Sequence, residues 1–303
     1  MNVIKNRVFV LKSIKKDMTL QTKTLLKSCL NKKTFIISGG TRGIGYEIGK
    51  KLALEGSNVA LFGKTTIPYP KLDRTIYSAA ESICDLTKKS NCIGIECDVR
   101  VPEQIDFALR EVISRFGGIH GLVLNESAEL LNITKNQRLN EINLMTDVNI
   151  KGTFLLGQKC LQDFFFSRNG HILIISPPLK MIDSDEWWIN HFYYSMSKYN
   201  MSLMAKYWNI EFPNVAVNTL WPRTTIDTTQ IININGDEKI VNLSRSPEIM
   251  GEAAKYILAS YGELCNGKNF IDDEVLASVD IDIEQFKINK SINEKDLMPN
   301  LFC

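Results

Sequence analysis

The 303-residue chain is 44% hydrophobic, with a formal charge of +2. Residues 1–33 hold nine Lys/Arg beside one acid, Asp17, leaving 27 basic against 33 acidic residues in the rest. That balance argues against a nucleic-acid-binding body, and no run of 18 apolar residues reads as a membrane-spanning helix. The length suits one α/β domain. Seven cysteines, odd in number and without metal-type spacing, read as thiols of a reducing compartment and not of a secreted protein. Within residues 1–30, Ile4, Val8, Leu11, Ile14 and Met18 share a helical face with Lys5, Lys12 and Lys16 off it. This basic extension has two readings, a solvated tail and an import presequence, so the compartment stays open between mitochondrion and cytoplasm.

The domain is expected to begin near residue 31. A β-type run, Thr34-Phe35-Ile36-Ile37, enters Ser38-Gly39-Gly40-Thr41-Arg42-Gly43-Ile44-Gly45 and then a helical pattern with Ile44, Ile48 and Leu52 about one turn apart. This strand–turn–helix junction suits a pyrophosphate: Gly39 permits the turn, Gly43 a close backbone approach, Gly45 close packing, and the helix N-terminus offers N–H groups. Val59–Phe62 reads as a second buried strand ending at Gly63-Lys64-Thr65. An acid at that strand end would bind the ribose hydroxyls of NAD, whereas Lys64 with Arg42 suits the 2′-phosphate of NADP. A Pro-containing loop over 65–75 precedes a helix over 76–88 and a strand over 92–96. Asp98, just past that strand, can accept the adenine amino group or cap the helix that Pro102 starts.

Further on, Gly121–Leu124 reads as a strand running into Asn125, and a helix is expected over 142–163. Its Asn149 is unfavourable in mid-helix and marks a kink or a water anchor. The strand 171–175 leads to Ser176-Pro177-Pro178. Tyr194 and Lys198 then stand four apart on a helix running to about residue 211, where a neighbouring ammonium favours tyrosinate and makes the phenol a usable acid/base. A strand over 215–220, a long connection to about Arg245 that reads as a lid or binding loop, a helix over 247–260 and a strand over 268–271 complete the alternation. Seven strands with six crossovers predict a single-domain Rossmann-type, doubly wound parallel sheet with helices on both faces.

Gly39-Gly40-Thr41-Arg42-Gly43-Ile44-Gly45, Asp98, Asn149 and Tyr194 with Lys198, taken together and in order, resemble the short-chain dehydrogenase/reductase family over most of residues 33–275. The stretches 63–72, 176–179, 216–224 and 269–272 are similar to a hydroxysteroid dehydrogenase-like group within it, a likeness that persists to Phe302. Members of that group can carry a C-terminal sterol-carrier domain; the chain is expected to lack one, along with a peroxisomal tripeptide.

The resemblance implies that Tyr194 transfers the substrate oxygen's proton. Lys198 would lower the phenol's pKa and hold the nicotinamide ribose, and Asn149 would support a water in the relay. The family's Asn-Asn-Ala-Gly reads Leu124-Asn125-Glu126-Ser127 here, which places a carboxylate near the phosphate-bearing cofactor. Its catalytic serine, second of a Ser-Ser pair, falls on Pro177, so Ser176 is assigned the role. The expectation is an NADP-dependent oxidoreductase acting on a carbonyl or alcohol of a lipid-like small molecule, suggested by Trp187, Trp188, Phe192 and Trp221. Two alternatives remain. One is an NADP-binding protein with impaired catalysis. The other is a partner-binding scaffold built on the family's helix-to-helix homo-oligomer contact.

Overall fold

The computed structural model describes residues 28–68, 74–167, 170–180, 191–228, 238–260 and 265–301. The amphipathic pattern before residue 28, the centre of the Pro-containing loop, Trp187 with Trp188, and the middle of the long connection after Arg223 lie outside them. Seven strands form one sheet: β1 (Thr34–Ser38), β2 (Asn58–Gly63), β3 (Cys92–Glu96), β4 (Gly121–Leu124), β5 (His171–Ile175), β6 (Ala216–Trp221) and β7 (Asn269–Ile271). Their order is β3-β2-β1-β4-β5-β6-β7, and every neighbouring pair is parallel. Chain direction across the sheet reverses between β1 and β4, so a crevice opens beyond the carboxyl ends of those two strands.

Helices α1 (Gly43–Leu54), α2 (Ile76–Thr87), α3 (Pro102–Phe116), α4 (Leu139–Met145), α5 (Thr153–Ser167), α6 (Phe192–Glu211), α7 (Glu238–Asn242), α8 (Glu248–Ala259) and α9 (Asp272–Ala277) connect and follow the strands. Alternate strand residues feed two cores, as a sheet covered on both faces requires. Phe35, Ile37, Val59, Leu61, Val123 and Leu173 join one; Ile36, Ala60, Phe62, Leu122, Leu124 and Ile172 join the other. The buried body reaches back to Cys29 and Leu30, both packed in the first core. No disulfide links the six described cysteines, and no helix among the described residues is long and apolar enough to cross a membrane.

The expected helix over 142–163 begins earlier, at Leu139, and is interrupted: Thr146–Gly152 forms a π turn between α4 and α5. Beyond β7 the sequence pattern had suggested nothing, yet α9 and two 3₁₀ turns, Ile283–Phe286 and Glu294–Asp296, close the chain back onto the body. Trp221 Nε1 donates to the Leu301 carbonyl at 2.6 Å, and Arg223 pairs with Asp273 at 2.5 Å and Glu274 at 2.6 Å.

Candidate active site

The glycine-turn end of the crevice, the expected phosphate site, is built from backbone. Gly39 has φ +61°, a conformation open to glycine, and Gly43 likewise at +56°. At Gly45 a Cβ would stand 2.4 Å from the Gly39 carbonyl oxygen and 2.5 Å from Asn125 Nδ2, so that position requires hydrogen. The close approach is to the turn and to the end of β4. Asn125 holds the turn from the neighbouring strand: its Nδ2 donates to the carbonyls of Ser38 and Gly39, each at 3.1 Å, and its N–H to Ser38 Oγ at 3.0 Å. Gly40 N–H donates to the Phe62 carbonyl at 3.1 Å, and Thr41 is buried. Half-buried Ile44 packs against the first core. No side-chain hydrogen bond caps the start of α1, whose N-cap is Arg42. A glycine cradle and an uncapped helix start fit a dinucleotide pyrophosphate.

Around the expected adenosine end the cations divide. Arg42 Nη2 donates to the Arg74 carbonyl at 3.1 Å, while the Arg74 guanidinium lies 4.2 Å from the Tyr46 ring centre. Lys64 is exposed and acts electrostatically on Asp98. Asp98 does not cap α3, whose N-cap is Val101. Instead its carboxylate takes the Arg100 guanidinium at 2.5–3.1 Å and the Arg100 N–H at 3.0 Å, and these bonds hold it below the usual carboxylate range. Neither Arg74 nor Arg100 stood out in the sequence. Each lies in a loop where a cation ordinarily points to water.

The other end is built from side chains. Tyr194 and Lys198, one turn apart on α6, are 4% and 1% exposed, so the pair is on the buried face of the helix and not in solvent. Lys198 Nζ donates to the Ile175 carbonyl at the end of β5 at 2.7 Å. Burial pulls its pKa down to about 8, against the carboxylates of Glu126 and Glu129. Burial, joined by the Glu129 charge, pushes the Tyr194 phenol well above its ordinary value, with the Ser127 side chain opposing. Asn149 sits in the π turn, wholly buried. Its Oδ1 accepts from Ala128 N–H at 2.7 Å, and its Nδ2 donates to the Ala128 carbonyl at 2.9 Å and to Ser197 Oγ at 2.8 Å. Ser176, at the end of β5, is wholly buried and its Oγ has no hydrogen-bond partner among the described residues.

Two carboxylates complete this wall. Glu126 is 7% exposed; Ser38 Oγ donates to its Oε2 and Thr153 Oγ1 to its Oε1 at 3.2 Å. Burial pushes its carboxyl up to about 7 despite those bonds and the Lys198 charge. Partly buried Glu129 is likewise raised to about 7 by burial, with Lys198 opposing. Glu129 was not singled out in the sequence, since the loop that carries it has no periodicity to place it. The expected aromatic wall fares differently. Trp221 is 4% exposed, with its ring 5.4 Å from Lys198 Nζ and its N–H spent on Leu301, so it is core, while Phe192 is exposed. Leu130, Leu131, Leu179 and Tyr193, near these residues in sequence, are partly buried and pack against the first core.

A glycine-turn cofactor end facing a buried Tyr–Lys pair across a doubly wound switch point defines a nicotinamide-dependent oxidoreductase fold. The short chain dehydrogenase model matches residues 33–239, and the chain belongs to that family. Among individual relatives, hydroxysteroid dehydrogenase-like protein 2 from Danio rerio is 36% identical over 271 residues, 89% of this chain and 63% of the relative. The Homo sapiens protein of the same name gives the same identity and coverage. The chain thus spans less than two thirds of the length of these relatives. A dehydrogenase-described crystal structure from Xanthomonas campestris matches with TM-score 0.83 at 36% identity, covering 90% of this chain and 98% of that one. A short chain dehydrogenase from Mycobacterium thermoresistibile gives 0.80 at 33%, covering 90% and 95%. The family is one of oxidoreductases that bind NAD or NADP and act on small molecules.

Proposed function

We propose that the protein uses NADP to interconvert a carbonyl and an alcohol on a lipid-like small molecule. The observation that carries this reading is the buried Tyr194–Lys198 pair, anchored on the Ile175 carbonyl, in one crevice with the uncapped glycine turn. Gly39 to Gly45 and Asn125 would hold the pyrophosphate, Asp98 the adenine, and Arg42 with Lys64 the 2′-phosphate. The cofactor supplies the hydride. Tyr194 would pass the proton to or from the substrate oxygen, and Lys198 would hold the ribose and favour tyrosinate. The Ser176 hydroxyl, buried and without a protein partner, is free to hydrogen-bond that same oxygen. Asn149 fixes Ala128 and Ser197 on either side and serves the relay through them. Leu130, Leu131, Leu179 and Tyr193 support an apolar substrate, and the family's helix contact supports a homo-oligomer.

A reading without turnover is favoured by Pro177, which lacks the expected hydroxyl, and by the raised Tyr194 phenol. Titration with NADPH and NADH, followed by nicotinamide fluorescence, tests the cofactor: saturable binding with NADPH preferred is expected, and binding of neither removes the proposal. Turnover by wild type across a carbonyl panel then separates enzyme from binding protein.

A further inference from the structure

The largest wholly buried side chain among the described residues belongs to Arg245, in the turn between α7 and α8. A guanidinium carries five N–H donors and a charge that it cannot shed. Among the described residues Arg245 makes a single ion pair: its Nη2 donates to Glu294 Oε1, in the second 3₁₀ turn of the C-terminal segment. Its Nε and Nη1 have no hydrogen-bond partner among those residues. Asp272 also feels the Arg245 charge, but its carboxylate is bonded to the Arg223 and Asp273 N–H groups. Glu294 is held from its other oxygen by buried Lys287, whose Nζ stands 3.5 Å away. A buried charge stripped of its partner is costly, so the place of Arg245 depends on Glu294.

The main chain of Arg245 carries that anchoring toward the glycine turn. Its N–H donates to the Thr225 carbonyl at 3.0 Å and its carbonyl accepts the Asp227 N–H at 2.8 Å, a parallel bridge that aligns residues 225–227. The C-terminal segment grips the same stretch, since Thr225 N–H donates to the Met298 carbonyl at 2.9 Å and Met298 N–H to the Leu243 carbonyl at 2.9 Å. One residue beyond the bridge, Thr228 reaches the turn itself: a Cβ at Gly43 would stand 3.2 Å from its Cγ2. Gly43 is the position where backbone is expected to approach the pyrophosphate. Arg245, Lys287 and Glu294 all lie beyond residue 239, where the match to the short chain dehydrogenase model ends. We propose that Arg245 is a positioning residue for the cofactor: its ion pair with Glu294 of the C-terminal segment sets Thr225–Thr228 against the glycine turn. This rests on the nicotinamide-cofactor reading above. Both residues act through the main chain and Thr228.

Truncating Arg245 would leave a cavity in the body, so the test falls on its partner. Glu294 is partly exposed, and Glu294→Gln keeps the shape of the side chain while removing its charge. Lys287 retains the Glu284 carboxylate at 2.5 Å and the Ile292 carbonyl at 2.9 Å, so the loss is felt at Arg245. Two measurements on the full chain compare wild type with the variant. In cofactor-free protein, hydrogen exchange at the Thr225, Asp227 and Arg245 amides should lose protection in Glu294→Gln, while amides of β1 and β4 exchange as in wild type. Titration followed by nicotinamide fluorescence should show NADPH and NADH both weakened by about tenfold, as when the binding-competent arrangement is populated about one tenth of the time. Both nucleotides carry the pyrophosphate, so weakening of NADPH alone would place the effect at the 2′-phosphate and overturn the proposal. Unchanged exchange at the three amides, or unchanged affinity, overturns it too. Equal loss of protection in β1 and β4 does the same, because the ion pair would then support the fold as a whole. Binding of neither nucleotide by wild type overturns the cofactor reading instead, and the exchange rates still decide whether Glu294 holds residues 225–227 in place.

Discussion

The two ends of the crevice are made of different materials. The glycine-turn end is main chain, with glycine conformations and a helix start without a side-chain cap, and one amide side chain, Asn125, pins the turn. The other end is side chain: Tyr194, Lys198, Asn149, Ser176, Glu126 and Glu129, drawn from four segments and nearly all buried. Backbone sites have little to titrate, so they depend on shape. Side-chain sites in a low-dielectric wall hold several groups whose charges set one another, which makes them sensitive to pH.

The contrast breaks most completely at Gly45. Gly45→Ala would drive a methyl into the Gly39 carbonyl and Asn125, and should cost about 3 kcal/mol, lowering the thermal midpoint by about 6–12 °C. NADPH titration should then show no saturable binding. Tyr194→Phe tests the opposite end. It should reduce turnover by about 10²–10⁴-fold while leaving the NADPH dissociation constant within a factor of a few; unchanged reduction rates would remove Tyr194 from the chemistry. A smaller effect is expected from Arg42→Ala, which should shrink the NADPH-over-NADH preference by about tenfold, about 1.4 kcal/mol, as read from paired titrations.

Arg100→Ala should be the mildest, because the Arg100 side chain is solvent-accessible and Asp98 partly so: less than about 1 kcal/mol by denaturant unfolding at neutral pH. The sign is set by Asp98, whose folded pKa lies below its ordinary 3.8. Its contribution is present above that value and fades as pH falls through the folded one, so wild type and variant should converge in acid.

The same division explains what the sequence made legible. Gly39, Gly43 and Gly45 mark a turn at fixed spacing, and the buried apolar runs Thr34–Ile37, Val59–Phe62 and His171–Ile175 announce a sheet covered on both faces. Tyr194 and Lys198 could be paired from spacing, but not their burial, since the face they share was indistinguishable from a solvated one. The π turn around Asn149 was foreseen as a disturbance but not as a geometry, because one extra residue per turn leaves no periodic mark over seven residues. Trp221 was placed on the substrate wall for its chemistry; its partner, the Leu301 carbonyl, lies 80 residues away, where no local pattern reaches. Asp98 was weighed as a helix cap, and Arg100, two residues on, claimed its carboxylate instead.

Asn149 reaches the Ala128 amide and carbonyl together and Ser197 besides, so one carboxamide behaves as a rivet through three layers of chain. The loop bearing Ala128 has no strand or helix of its own, and its residues Ser127 to Leu130 are all partly exposed. Yet opening it means withdrawing a wholly buried side chain from the body of the protein. Deuterium should therefore enter the Ala128 amide on the timescale of the core strands, with slow exchange in a segment that looks like surface loop.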